Sequence, residues 1–119
     1  MELIKVAELI EQKIKLLETG RKQLQERAER KAETIAVYEK RIAVIMVELK
    51  NGAEMLWEGQ TIKDPPATLI EKIARGMAWE EKLEMEKCDA LYRNAIAGLT
   101  CIQAELNGWQ SVNRFLTEK

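Results

Sequence analysis

Along the first fifty residues Leu3, Ala7, Ile10, Ile14, Leu17, Arg21, Leu24, Ala28, Lys31, Ile35, Tyr38, Ile42, Ile45 and Leu49 follow one another at alternating spacings of four and three. That is the repeat of a coiled-coil seam. Arg21 and Lys31 are its only charged members and no proline interrupts it, so the pattern predicts one long helix over residues 1–50, about 75 Å if straight. Gly20 is its weak point, where a bend or break would cost least. Lys50-Asn51-Gly52 supplies the stop: a basic last turn, then residues that tolerate the left-handed conformation.

The period then changes. Residues 51–66 form an elbow in which AEMLWEGQTIK (53–63) alternates loosely around Glu58-Gly59, and the segment reads either as a short β-hairpin or as an ordered loop. Two strands alone are marginal, so they must lean on helices. Asp64-Pro65-Pro66 opens the next helix, with Thr68 and Glu71 as a competing capping box one turn later. The expected short helix covers 67–75 and is closed by Gly76. From 77 to 117 the heptad pattern resumes through Met85, Cys88, Tyr92, Ala95, Leu99, Ile102, Leu106, Trp109, Val112 or Asn113, and Leu116. The fold class is therefore all-α, one domain over 1–119: a long antiparallel helical hairpin with a compact elbow. One hairpin has no third wall, and burial of its stripes predicts a homo-oligomer, a dimer or higher, forming a helical bundle.

Composition narrows the function. Nineteen basic and twenty acidic residues leave a net charge of −1, which gives no general attraction to nucleic acid or to an anionic membrane. No apolar run approaches the ~20 residues of a membrane span and no leader is recognisable, so the expected location is the cytoplasm. Cys88 and Cys101 lie about 20 Å apart on one helix, too far to bridge, and read as small buried apolar residues. The chain has no histidine, which removes histidine-based triads, Cys–His pairs and HExxH zinc sites. Neither a P-loop nor GxGxxG occurs. No catalytic residue, metal ligand or cofactor is expected.

Charge blocks carry more information. If Lys50 and Ala78 flank the elbow, facing residues have numbers adding to roughly 128 on equal helical rise. The acidic block Glu80, Glu81, Glu84, Glu86 and Asp89 then lies beside Lys40, Arg41 and Lys50. The basic block Arg21, Lys22, Arg27, Arg30 and Lys31 faces residues 97–107, whose only charge is Glu105. The same register sets Arg21 beside Gly108 and Trp109. A ligand-binding site for a small anionic, nucleotide-type molecule follows: Arg21, Lys22 and Arg27 with Trp109, Gln110, Asn113 and Arg114 supply guanidinium forks, amides and an aromatic plane. Exposed Trp57, Ile62 and Lys63 form a second candidate, a protein-partner surface on the elbow.

Three resemblances bear on this. Glu80-Glu81-x-x-Glu84 with Glu86-x-x-Asp89 resembles the EExxE and ExxD elements of all-helical, magnesium-dependent nucleotide pyrophosphohydrolases. Those elements sit on different helices, whereas here Met85 alone separates them and one helix splays the carboxylates; the block reads as a solvated face. Trp57-Glu58-Gly59 resembles the W-x-G turn of small secreted hairpin proteins over three residues only. Thr68-Leu69-Ile70-Glu71-Lys72-Ile73-Ala74-Arg75-Gly76, with Gly20-Arg21-Lys22, Tyr38, Leu49-Lys50-Asn51-Gly52 and Tyr92, resembles small all-helical accessory proteins of phages and prophages of Gram-positive bacteria. That last resemblance implies a non-enzymatic phage protein in the cytoplasm of the infected host. It would counter host defence by sequestering a nucleotide-type signal or a defence protein at a bundle interface. The alternatives are a structural or adaptor protein of the phage replication or recombination machinery, contacting a protein partner, or a nucleic-acid accessory using the basic block.

Overall fold

In the computed structural model, which describes residues 2–118, the order is α1 (Leu3–Lys50), β1 (Met55–Trp57), β2 (Gln60–Ile62), one 3₁₀ turn (Ala67–Leu69), α2 (Ile70–Met77) and α3 (Trp79–Thr117). The expected helix start at residue 1 lies outside the described residues. Mostly helical, with one small antiparallel sheet, the chain falls into two compact units: unit 1, Met1–Glu29 with Ala90–Lys119, and unit 2, Arg30–Asp89. α1 passes Gly20 as unbroken helix. Leu99 occupies the space a side chain would need, since a Cβ on Gly20 would meet Leu99 Cδ2 at 2.6 Å.

Unit 2 holds the core. Tyr38, Ile42, Ile45 and Leu49 of α1 pack with Ile70 and Ala74 of α2 and with Ala78. The stop of α1 follows from backbone bonding: Gly52, at φ 83°, donates to the Leu49 carbonyl and Ala53 to that of Glu48. These are the paired bonds of a Schellman motif. Residues 53–63 resolve as a hairpin, Met55 opposite Ile62 and Trp57 opposite Gln60. Glu58 (φ 49°) and Gly59 (φ 78°) both adopt positive φ, as a two-residue I′ turn demands. Met55 and Ile62 pack against the helical core, which supports strands too short to stand alone.

Several local expectations change. Neither Asp64 nor Thr68 caps the short helix: Pro66 precedes the 3₁₀ turn, Leu69 precedes α2, and neither junction has a side-chain cap bond. Gly76 does not close α2, which continues to Met77 and yields to α3 after Ala78 alone. Its role is spatial. A Cβ there would lie 2.8 Å from Trp57 Cζ2 and 2.9 Å from Cη2, so the glycine admits the indole. Trp57 and Ile62 are accordingly half-buried and turned inward, not exposed. The outward large apolar residue of the hairpin is Leu56, 76 % exposed.

Unit 1 pairs the first part of α1 with the last part of α3, antiparallel, with Lys13 bonded to Glu105 and Gly20 against Leu99. Facing residues in both units have numbers adding to about 120, not 128. The cause lies in unit 2. Ile45 and Leu49, in the last turns of α1, share their cluster with Ile70 and Ala74 of α2, and Glu81 of α3 pairs with Arg41 (3.6 Å) and not with Lys50. In α3 every expected stripe residue is buried or half-buried, and Asn113, not Val112, continues it. In the first half of α1 the inward residues are Val6, Ile10, Lys13, Leu17, Gly20 and Leu24, while Leu3, Ala7, Ile14 and Arg21 of the strict heptad are exposed. Cys88 is buried, but Cys101 is exposed.

Candidate binding site

The charge blocks pair differently from expectation once the register shifts. Arg41 meets Glu81, while Arg30 meets Glu84 at 3.3 Å and Lys31 meets Asp89 at 3.1 Å. Arg30 also bonds Glu33 at 3.4 Å, and chiefly that bond raises its guanidinium pKa above the ordinary arginine value. Glu80, Glu81 and Glu84 line one open depression of about 230 Å³ with Arg30, Thr34 and Val37. Glu86 pairs with Lys82 at 3.0 Å. Among the described residues no three acidic, cysteine or histidine side chains are placed to hold a metal; Glu81, Glu84 and Asp89 are the members of the run that pair with cations of α1.

That leaves Arg21, Lys22 and Arg27, all exposed and in no salt bridge with a described residue. They do not converge. At 100° per residue Lys22 is turned about 100° from Arg21 in one sense and Arg27 about 120° in the other. Trp109 is half-buried on the inward stripe, and the register brings it level with residue 10, about 16 Å along the axis from Arg21. Arg114 lines a separate shallow depression of about 290 Å³ with Ser111, Phe115 and Glu118; Gln110 is exposed and Asn113 half-buried. The seven residues expected to form one site therefore lie in at least two places.

The structure brings other groups to Arg21. Within unit 1 it lines an open depression of about 440 Å³ with Leu17, Leu99, Thr100, Gln103, Ala104 and Asn107. Gln103 donates to Asn107 Oδ1 at 3.0 Å, and the Thr100 hydroxyl donates to the Ile96 carbonyl at 3.0 Å. The Asn107 amide nitrogen and the Arg21 guanidinium remain as donors. No carboxylate lines the depression, and Leu17 and Leu99 supply apolar surface beside the polar groups. A guanidinium next to neutral amides, without a competing acid, suits phosphate or carboxylate oxygens. Thr100, Gln103 and Asn107 follow at spacings of three and four, the periodicity of one helix face, and the near absence of charge in 97–107 was the signal that marked them.

No protein-family model, curated protein or solved structure matches the chain. No helix among the described residues is long and apolar enough to cross a membrane.

Proposed function

We propose that the chain is a non-enzymatic helical binding protein whose site is the Arg21 depression of unit 1. Its ligand is a small anion of the phosphate-bearing, nucleotide type. One observation carries the reading: an arginine in no salt bridge with a described residue stands beside Thr100, Gln103 and Asn107 in a depression lined by no carboxylate among the described residues. Trp109 lies outside the depression, so the anion and its hydrogen-bonding edge, not base stacking on that indole, carry recognition. In the setting that the resemblance implies, sequestration of such a molecule in the host cytoplasm is how a phage accessory protein would blunt a defence signal.

Native mass spectrometry and titration calorimetry with nucleoside mono- and diphosphates, cyclic dinucleotides and pyrophosphate test it. Arg21→Ala should weaken the best ligand by about 10- to 100-fold, the worth of one charge-assisted hydrogen bond. Undiminished retention would remove the site. A second reading, an adaptor working through the elbow, is favoured by Leu56, 76 % exposed on the outer face of the hairpin, and by Trp79, 55 % exposed. In that case Leu56→Glu and not Arg21→Ala would abolish partner capture, and the surface would centre on Leu56 with Lys63 at its edge, since Trp57 and Ile62 face inward.

A further inference from the structure

The Arg21 depression changes in character along its length. On the register of unit 1, in which Gly20 meets Leu99, Arg21 stands at one end, and Gln103 and Asn107 follow about 7 Å and about 13 Å away along the axis at 1.5 Å per residue. Leu17 and Ala104 line the stretch between. Among the described residues no cation lines the far end, and Lys13, at the same level on α1, is bonded to Glu105. What the far end presents is a pair of amides. Gln103 Nε2 donates to Asn107 Oδ1 at 3.0 Å, which leaves Gln103 Oε1 as an acceptor beside the Asn107 amino group as a donor. Turning both amides over exchanges the two roles and keeps the pattern.

We propose that the depression takes a single nucleoside phosphate laid along the groove: its phosphate on Arg21, its pentose over Leu17 and Ala104, and its base edge on Gln103 and Asn107. The proposal rests on the binding reading above and names the ligand class within it. One acceptor beside one donor matches the edge of a nucleobase, where an N–H lies next to a carbonyl or ring nitrogen. A second phosphate group offers acceptors only, and would set an oxyanion against the Gln103 carbonyl with no cation to answer it. The separation agrees, since a phosphate held by Arg21 leaves the length of one sugar before the amides begin. Every base carries such an edge, so Gln103 and Asn107 select for the presence of a base and not for its identity. They discriminate nucleotides from sugar phosphates and from bare polyphosphates.

NMR titration of the full chain with ribose phosphate, uridine monophosphate, and uridine monophosphate methylated at its imide nitrogen tests the assignment. All three carry the same sugar and phosphate, so charge is held constant. Uridine monophosphate should bind about 10-fold or more tighter than ribose phosphate, the worth of two neutral hydrogen bonds. Methylation keeps the ring and removes its N–H, and should return the affinity to that of ribose phosphate. Gln103→Ala and Asn107→Ala, both at exposed positions, should each narrow the gap to about 3-fold or less while ribose phosphate binds as before and the circular dichroism helix signal persists. Arg21→Ala should weaken all three ligands together. Equal affinity for ribose phosphate and uridine monophosphate overturns the proposal, as does a methylated nucleotide that binds as tightly as its parent; in both cases Arg21-dependent binding leaves the site itself standing. If none of the three binds in an Arg21-dependent way, the site falls and the proposal with it.

Discussion

Gly76 and Trp57 provide the sharpest quantitative test of how the elbow is built. Gly76→Ala places a methyl carbon within 2.8 Å and 2.9 Å of two indole carbons, well inside contact distance, in the interior of α2. Alanine is favoured over glycine there by about 1 kcal/mol from backbone freedom. Overpacking against a ring that cannot bend away costs about 1–3 kcal/mol. The second effect wins, and the variant should be destabilised by about 1 kcal/mol in urea unfolding followed at 222 nm. In a Trp57→Ala background the clash is gone, so Gly76→Ala should stabilise by about 1 kcal/mol. The resulting coupling of roughly 1–3 kcal/mol belongs to the contact itself. Gly108→Ala supplies the control, because a Cβ at Gly108 has no neighbour within 4 Å and only the propensity gain of about 1 kcal/mol remains. If Gly76→Ala stabilises the wild-type chain as Gly108→Ala does, the indole does not lie over α2 and this account of the elbow is wrong.

Further outcomes follow from single contacts. Ile45→Ala, at a fully buried centre of the unit 2 core, should cost about 2–5 kcal/mol in the same urea assay. Glu58→Asn should stabilise by up to about 1 kcal/mol and Gly59→Ala should destabilise by about as much, because both positions require positive φ; equal and opposite failures would refute the I′ turn. Removing the half-exposed Arg41–Glu81 pair by Arg41→Ala should shift stability by no more than about 1 kcal/mol, and a larger loss would show that the pair sets the register.

The long helices were legible because hydrophobic spacing reports them directly. In α3 the inward stripe is the one apolar period available, from Met85 to Leu116. In the first half of α1 two stripes share Ile10, Leu17 and Leu24, and periodicity selects the more apolar of them, whose other members Leu3, Ala7, Ile14 and Arg21 are exposed. The strict spacing places Arg21 on the seam, whereas Gly20 is the residue that meets Leu99. The register error of about eight residues has a separate origin. No pattern along the chain says that α2 packs on Ile45 and Leu49 in place of α3, and everything paired by counting inherits that shift. Hence Arg30 and Lys31 find acids that had been assigned to Lys40 and Lys50. Trp57 follows the same logic: a tryptophan in a polar elbow reads as exposed, and only Gly76, nineteen positions later, gives the indole a place to pack.

The measurement closest to the central claim follows the side-chain amides of Gln103 and Asn107 by NMR while pyrophosphate or the best nucleotide is titrated in. Binding at the Arg21 depression predicts that both amides and the Arg21 guanidinium shift together, that Arg21→Ala abolishes the response, and that the Trp109 indole signal stays in place. Saturable movement of the Trp109 indole with Gln103 and Asn107 unmoved would contradict it.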